Sequence, residues 1–272
     1  MPIISAGRWD LNYIEEGAGP AVVLIHGLAG DYTAWTRQVS ALKANYRVVA
    51  FDNPGSGKSG KVDAATTMRE MAESTLRLMD ALHIESAHVV GRSMGGAIGQ
   101  QMALLAPQRV RSLAMAASLA TLDPLGRRLI ENMRELLMWR KNWTEWARHV
   151  LPFFVSPEFF NNNREQMAII ERLIGDESRD QLSYKNLADA LLDYDATSEI
   201  GSIGCSTLIM AGRFDPICSL GTAKLMQDRI PKAETVVFEE SSHFFLVEEA
   251  EKAMSVLSNW LRRHSNAETE GG

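Results

Sequence analysis

Val89–Gly96, with the sequence Val-Val-Gly-Arg-Ser-Met-Gly-Gly, is the most informative stretch of this chain. Two β-branched residues lead into a Gly-x-Ser-x-Gly turn, and apolar residues at helical spacing follow it. This order predicts a strand, a tight turn with Ser93 at its apex, and a helix. The residues two before and two after the serine must be small, because side chains there would collide in so sharp a turn. The stretch therefore predicts that the Ser93 hydroxyl is a nucleophile beside a helix N-terminus.

Short apolar runs alternate with helical patterns on both sides of this stretch. The runs lie at residues 21–25, 46–51, 87–90, 110–117, 207–211 and 235–238, and two short strands are expected within residues 3–15. Runs without polar positions suit strands that are covered on both faces, as in a parallel sheet. The sequence therefore predicts an α/β fold with a mostly parallel, eight-stranded sheet and helices on both faces.

Residues 121–200 differ from the rest of the chain, because they contain helical patterns and no convincing strand. Their apolar residues form stripes at helical spacing, and large aromatic residues cluster in the first half. We expect residues 121–200 to form a helical cap that is inserted after the sixth strand. The sheet and its helices would then form a core from residues 1–120 and 201–272.

Composition and charge exclude several classes of function. The 272 residues have a net charge of −6 with interspersed charges, and no Lys/Arg-rich stripe suits nucleic acid. We expect neither a signal peptide nor a membrane span, because no apolar stretch approaches ~20 residues. Cys205 and Cys218 lack metal-site spacing, and we expect two thiols and no metal. These features favour a cytoplasmic enzyme acting on a small molecule, without a nucleic-acid or membrane partner, and leave a homodimer open.

One loop contains two patterns that suggest nucleotide binding. Gly55, Gly57 and Gly60 match Gly-x-Gly-x-x-Gly, but the acid further along, Asp80, lies in a helical pattern rather than at a strand end. The same loop ends in Gly-Lys-Ser, yet Asp52 stands where a phosphate-binding loop needs its first glycine. We therefore predict no nucleotide and no other cofactor, and we expect Asp52 to bond the backbone of its loop.

A serine, an acid and a histidine each follow a predicted strand directly. They are Ser93, Asp215 and His243. Because ligands in parallel sheets bind beyond the carboxyl ends of the strands, we expect these three side chains to meet at one edge of the sheet. The rival acids Asp193 and Asp195 lie in the helical insertion. The other histidines fall in less suitable places: His26, His83, His88, His149 and His264. The structural alternatives are a helix N-cap for Ser93 and a turn residue before Pro216 for Asp215.

The chain resembles the α/β-hydrolases that bear a cap, and the resemblance covers nearly its whole length. The matching motifs are His26–Gly30, Asp52–Ser59, Gly91–Gly96, Gly212–Asp215 and His243. The chain order Ser…Asp…His is also the order of that fold. Within the superfamily the chain is most similar to 3-oxoadipate enol-lactonase-like and small-ester hydrolases. It is less similar to the meta-cleavage C–C hydrolases, which commonly have tryptophan where Phe244 stands.

The resemblance and the chemistry of these groups imply a catalytic triad. Ser93 would attack, His243 would take its proton, and Asp215 would orient the imidazole. The backbone N–H groups of Leu28 and Met94 are the expected oxyanion-hole donors. We expect a serine hydrolase that cleaves a small carboxylic ester or lactone through an acyl-enzyme. The open alternatives are C–C hydrolysis of meta-cleavage-type dienoates, amide hydrolysis, and a ligand receptor on the same fold.

The substrate pocket is expected to be lined by five residues: His26, Trp139, Trp143, Phe153 and Phe244. The aromatic cluster of the insertion also contains Trp146 and Phe154, and most of its members are expected to pack between cap and core. Arg92 precedes the serine directly. At that position Arg92 could clamp a substrate carboxylate, but the two-residue alternation of a strand predicts that its side chain points away from the serine, towards the surface or a structural pair.

Overall fold

The computed structural model describes residues 2–266. Its strands are β1 (Ile3–Ala6), β2 (Trp9–Glu16), β3 (Ala21–Ile25), β4 (Arg47–Phe51), β5 (Ala87–Arg92), β6 (Val110–Ala116), β7 (Ser206–Gly212) and β8 (Ala233–Phe238). They form one eight-stranded sheet in the order β1-β2-β4-β3-β5-β6-β7-β8. β1 pairs antiparallel with β2, and β2 pairs antiparallel with β4. The six strands β4, β3, β5, β6, β7 and β8 are parallel to their neighbours. The predicted mostly parallel, eight-stranded sheet is confirmed.

The central strands are continuous apolar runs because both faces of the sheet are covered. All five residues of β3 are buried, and its side chains alternate between two hydrophobic clusters. Val23 and Ile25 belong to the cluster on one face, and Val22 and Leu24 to the cluster on the other. The burial of both faces fixes the register of the central strands, since a one-residue slip would exchange the two sets.

The helices of the described residues begin after β3, and each strand from there on is followed by at least one of them. They are α1 (Thr36–Leu42), α2 (Met68–Ala81), α3 (Met94–Leu105), α4 (Pro124–Arg140), α5 (Trp143–Val150), α6 (Pro157–Asn162), α7 (Arg164–Ile174), α8 (Gln181–Leu192), α9 (Leu220–Arg229), α10 (Phe245–Glu248) and α11 (Ala250–Asn266). α2, α3 and α9 pack on one face of the sheet, and α1 and α11 on the other. Within residues 2–266, no helix combines the length and hydropathy needed to cross a membrane.

The chain between β6 and β7 contains α4 to α8, in the region predicted to be a helical cap. The β pairing found there is a single isolated bridge between Thr121 and Asp195, at the two ends of the region. Hydrogen bonds join α8 to the loop after β4. The Val62 N–H donates to Ser183 Oγ at 2.9 Å, and Asn186 Nδ2 donates to the Val62 carbonyl at 2.9 Å. These bonds place α8 against the loop after β4, at the edge of the sheet where the parallel strands end.

Candidate active site

Ser93 occupies the turn between β5 and α3 in a strained backbone conformation, with φ of 53°. A Cβ on Gly91 would press into the Gly95 carbonyl, and a Cβ on Gly95 into the Ile25 carbonyl, both well inside van der Waals contact. The Ser93 N–H donates to the Ala116 carbonyl at 2.8 Å, which fixes the turn to the next strand. The need for small residues on both sides of the serine therefore follows from the close approach of neighbouring backbone.

Asp215 and His243 are buried and joined by a hydrogen bond. His243 Nδ1 lies 2.7 Å from Asp215 Oδ2. The other carboxylate oxygen, Oδ1, accepts from the N–H groups of Ile217 at 2.8 Å and Cys218 at 2.9 Å. A carboxylate offers only acceptors, so the proton of the pair is assigned to Nδ1 and the lone pair of the imidazole to Nε2. That tautomer leaves Nε2 free to accept a proton.

Ser93 and His243 line one cavity of about 200 Å³ beneath the inserted helices. Leu28 lines the same cavity, whereas Met94 is fully buried behind Ser93 at the start of α3. Among the described residues, none accepts a hydrogen bond from the backbone N–H of Leu28 or of Met94. Both N–H groups are therefore available to a ligand; Leu28 lines the cavity, and Met94 directly follows Ser93 in the chain.

The loop after β4 is organised by Asp52, as predicted. Asp52 accepts hydrogen bonds from Asn12 Nδ2 at 2.7 Å, the Tyr32 N–H at 2.9 Å and the Lys58 N–H at 2.9 Å. The carboxylate thus ties three separate segments of the chain together. It does not line the cavity.

His26 is a structural residue beneath the loop that contains Leu28. Its Nε2 accepts from the Asn53 N–H at 2.9 Å, and its Nδ1 lies 2.8 Å from the Gly27 carbonyl. These contacts assign the proton to Nδ1. Burial lowers the pKa of His26, which keeps the imidazole neutral. His26 is absent from the cavity lining, although it was predicted there, because both ring nitrogens are used to join two loops.

The three aromatic residues of the inserted region that were predicted to line the pocket do not line the cavity. Trp139 is 76% exposed and Phe153 is 42% exposed, and neither lines the cavity. Trp143 is buried among Trp146 and Tyr184 and borders a smaller neighbouring cavity instead. α4 ends at Arg140, and Lys141 follows it in a left-handed conformation, so Trp139 and Trp143 lie on different helices and share no face.

Two aromatic residues of the same cluster that were not assigned to the pocket do line the cavity, namely Trp146 and Phe154. Phe154 stacks on Phe244, with ring centroids 4.9 Å apart, and Phe244 lines the cavity as predicted from its place beside His243. The helical spacing of Trp146 with the buried Val150 on α5 was a usable signal for Trp146. Phe154 and Phe153 are adjacent at the end of a short 3₁₀ helix, where helical spacing does not tell them apart.

Arg92 lies with Ser93 in the cavity lining, so the prediction that its side chain points away is wrong. The two-residue alternation holds only within an extended strand, and it is lost at Ser93, where φ becomes positive. The Arg92 guanidinium carbon lies 4.3 Å from the centre of the Phe244 ring. Burial lowers the pKa of Arg92 to about 10, which leaves it protonated at neutral pH.

Arg179 joins the inserted helices to the loop after β3, a contact that the sequence did not reveal. Its Nη1 donates to the Ala29 and Gly30 carbonyls at 2.9 and 3.3 Å, and its Nη2 pairs with Asp31 Oδ2 at 2.9 Å. A further bond from Nη2 reaches the Leu173 carbonyl at 3.1 Å. Arg179, two residues before α8, therefore holds the backbone directly after Leu28 in place.

Cys205 and Cys218 are free thiols, as expected. Cys218 is buried beside the acid and the base, and burial raises the pKa of its thiol well above the usual value. Asp215, Cys218 and His243 are the one group in residues 2–266 whose potential metal-ligating atoms lie within 4.8 Å of one another. Asp215 and His243 are already joined by a 2.7 Å hydrogen bond, so a proton occupies the space between them.

Comparison with known protein families gives the identity of the fold. Residues 20–168 match the model of the alpha/beta hydrolase fold family, and this match spans more than half of the chain. The chain belongs to the α/β-hydrolase family. The resemblance inferred from the motifs is therefore confirmed.

Several relatives of this α/β-hydrolase are named as hydrolases. A putative carbamate hydrolase RutD from Azorhizobium caulinodans is 29% identical over 90% of this chain and 92% of its own length. 3-Oxoadipate enol-lactonase 1 from Acinetobacter baylyi is 31% identical over 89% of both chains. The chain is thus a hydrolase with relatives that are named for small substrates.

Solved structures of α/β-hydrolases share the fold. The enol-lactonase from Burkholderia xenovorans superposes with a TM-score of 0.86 at 24% identity, covering 96% of this chain and all of that one. A thermophilic esterase from Thermogutta terrifontis superposes with a TM-score of 0.84 at 25% identity, over 94% of both chains. These likenesses confirm the architecture.

Proposed function

We propose that this α/β-hydrolase cleaves a small carboxylic ester or lactone through an acyl-enzyme on Ser93. The observation that supports the proposal most is the buried Asp215–His243 hydrogen bond of 2.7 Å in a cavity whose wall includes the strained serine. The partners of the reaction are then the acyl substrate and water. The cytoplasmic location and a homodimer stay predictions from the sequence.

The proposed mechanism begins with the serine. Ser93 Oγ attacks the substrate carbonyl carbon while His243 Nε2 takes the hydroxyl proton. Asp215 fixes the tautomer and stabilises the imidazolium that forms. The tetrahedral intermediate collapses, the C–O bond of the ester breaks, and His243 returns the proton to the leaving alcohol. In the second half of the reaction, water attacks the acyl-enzyme carbonyl while His243 takes a proton from it. His243 then returns this proton to Ser93 Oγ, and the acid is released.

The developing negative charge needs donors that are already in place. In this proposal the N–H groups of Leu28 and Met94 receive the oxyanion, and neither has to break a bond to a described residue to do so. One such donor is typically worth ~3–4 kcal/mol in the transition state. Arg179 has a positioning role, because it bonds the carbonyls of the two residues after Leu28.

Residues 121–200 act as the cap in this proposal, over the core of residues 1–120 and 201–272. The inserted helices supply most of the apolar wall, namely Ile130, Met133, Trp146, Phe154, Ile170, Leu173, Ile174 and Leu191. An apolar wall above a polar floor orients a substrate with its carbonyl towards Ser93. The cavity of about 200 Å³ suits a small acyl compound.

The experiment that tests the proposal measures hydrolysis of p-nitrophenyl esters from acetate to octanoate. Ser93→Ala should lower kcat by about 10⁴-fold or more while the melting temperature stays near that of the wild type. Ser74→Ala is the matched control, because Ser74 is also buried but lies on α2 and donates to the Ala6 carbonyl. Retained turnover in Ser93→Ala would contradict the proposal.

Carbamate hydrolysis is a second candidate, and the names of several relatives support it. The same serine, base and oxyanion donors would break a C–N bond, with His243 protonating the leaving amine. Assays with an N-aryl carbamate, which releases an aniline when its C–N bond breaks, an aryl amide and a ring-fission dienoate beside the ester series separate the bond types. Turnover of the carbamate at a higher kcat/KM than any ester or lactone would replace the first candidate with this one.

A further inference from the structure

Arg92 places a positive charge in the cavity wall that no described residue neutralises. Its Nε is buried without a hydrogen-bond partner, and no carboxylate in residues 2–266 lies within ion-pair distance of its guanidinium. Asp215 is close enough to favour the charge of Arg92, yet both of its oxygens already accept hydrogen bonds from His243 and from backbone. The N–H donors of Arg92 are therefore available.

The second arginine of the same wall, Arg179, also has a buried Nε without a hydrogen-bond partner, but its charge is paired. Arg179 is paired with Asp31 at 2.9 Å, and its two terminal nitrogens also donate to backbone carbonyls. Its charge is therefore neutralised, and its hydrogen bonds hold the loop after β3 against the inserted helices. Among the cavity-lining residues that the structure describes, Arg92 is the cation without an anionic partner.

A shielded cation without an anion is unfavourable for the empty protein, because the charge loses hydration and gains no ion pair in return. The Phe244 ring, 4.3 Å from the guanidinium carbon, supports the charge through its π face and occupies none of the N–H donors. The apolar residues that form most of the cavity wall strengthen any ion pair formed inside it.

We propose that Arg92 forms an anion subsite of this cavity and that the preferred substrate has a carboxylate that pairs with it. The inference rests on the proposed function only in assigning the cleaved bond to Ser93. A carboxylate is the class of anion that best fits the planar fork of a guanidinium, since two parallel N–H···O bonds can form. The substrate class is thus the monoester or lactone of an acid with a second, free carboxyl group.

The test uses pairs of esters that differ in one charge. p-Nitrophenyl hydrogen adipate is compared with p-nitrophenyl methyl adipate, and glutarate and pimelate pairs cover a shorter and a longer reach. Wild-type protein should prefer the charged member of at least one pair by about tenfold or more in kcat/KM, as expected for a shielded charged hydrogen bond. Arg92→Gln should abolish that preference.

Two control variants separate the fork from charge in general. Arg92→Lys keeps the charge without the planar fork and should give an intermediate preference. Arg128→Gln removes an equal charge from an exposed position on α4, paired with Glu131, and should leave the preference unchanged. Equal kcat/KM for both members of every pair in the wild type, or an equal loss for both in Arg92→Gln, would overturn the proposal.

Binding of adipate by titration calorimetry tests the subsite without turnover. Ser93→Ala should bind adipate at least about tenfold more tightly than Ser93→Ala/Arg92→Gln does. If no ester is hydrolysed but this difference is found, the anion subsite stands and the proposed function fails. If neutral esters are hydrolysed at Ser93 and the two variants bind adipate equally or not at all, the proposed function stands and the anion subsite is overturned.

Discussion

Asp215 shows at the scale of one residue how the candidate site depends on hydrogen-bond direction. One oxygen holds two backbone N–H groups, and the other faces His243 Nδ1. In Asp215→Asn the amide oxygen would keep the backbone bonds and turn the NH₂ group towards His243. The imidazole would then have its proton on Nε2, where it cannot accept one from the serine.

We therefore expect Asp215→Asn to lower kcat by about 10⁴-fold, the size of loss known for this change in other triads, with little change in stability. Asp195→Asn is the control, because Asp195 is an exposed rival acid in the same half of the chain. The measurement is kcat for an aryl ester, with melting temperatures for both variants. A loss in Asp195→Asn and not in Asp215→Asn would reverse the assignment.

Single residues also show where sequence-based prediction succeeds and where it stops. The order of Ser93, Asp215 and His243 was accessible, because each follows a strand and parallel strands end at one edge. The direction of Arg92 was not, because strand alternation ends at a residue with positive φ. Trp139 was misplaced because a left-handed Lys141 ends the helix before the next tryptophan is reached.

At the scale of the element, the β5–α3 turn depends on backbone contact. Gly95→Ala would place a Cβ against the Ile25 carbonyl of β3, which is backbone and cannot move independently. We expect the variant to lose ~3 kcal/mol or more of unfolding free energy, or not to fold, as overpacked positions do. Gly204→Ala is the matched control, since nothing lies within 4 Å of the position of its Cβ.

Urea unfolding of the two glycine variants measures this difference. The control should stay within ~1 kcal/mol of the wild type, on the stable side if the reduced freedom of the unfolded chain dominates. An unperturbed Gly95→Ala protein would mean that β3 and α3 are not in the close contact described above.

Most elements were predictable because their buried faces impose a period on the sequence. The runs predicted at residues 21–25 and 207–211 lie within a few residues of β3 and β7. The packing of α4 to α8 was not predictable, since apolar stripes do not say which helix meets which.

At the scale of the whole molecule, acid should destabilise the fold through a histidine in the sheet. His88 on β5 is buried, with Nδ1 2.8 Å from Ser112 Oγ and Nε2 3.1 Å from Ser265 Oγ. Burial lowers its pKa to about 4, and the charges of Arg111 and His264 act in the same direction. The folded pKa lies below the unfolded value of ~6.5, so the unfolded chain binds the proton first.

The contribution of the neutral His88 side chain to the free energy of unfolding is therefore complete above pH 6.5 and is lost as the pH falls towards 4. Each pKa unit corresponds to ~1.4 kcal/mol, so the wild type should lose about 2–3 kcal/mol more than His88→Gln between pH 7 and 4.5. Urea unfolding at the two pH values measures this, with the exposed His149→Gln as control. Parallel pH profiles for the wild type and His88→Gln would contradict the assignment.

The most direct test of the central proposal, a nucleophilic Ser93 with His243 as its base, is covalent labelling. Paraoxon reacts with an activated serine, because Oγ displaces p-nitrophenolate at phosphorus and stays bonded as a diethyl phosphate. Peptide mapping by mass spectrometry should find this group on Ser93 in the wild type. His243→Ala should label far more slowly and Ser93→Ala not at all, whereas labelling at another residue, or equal rates in all three proteins, would contradict the account.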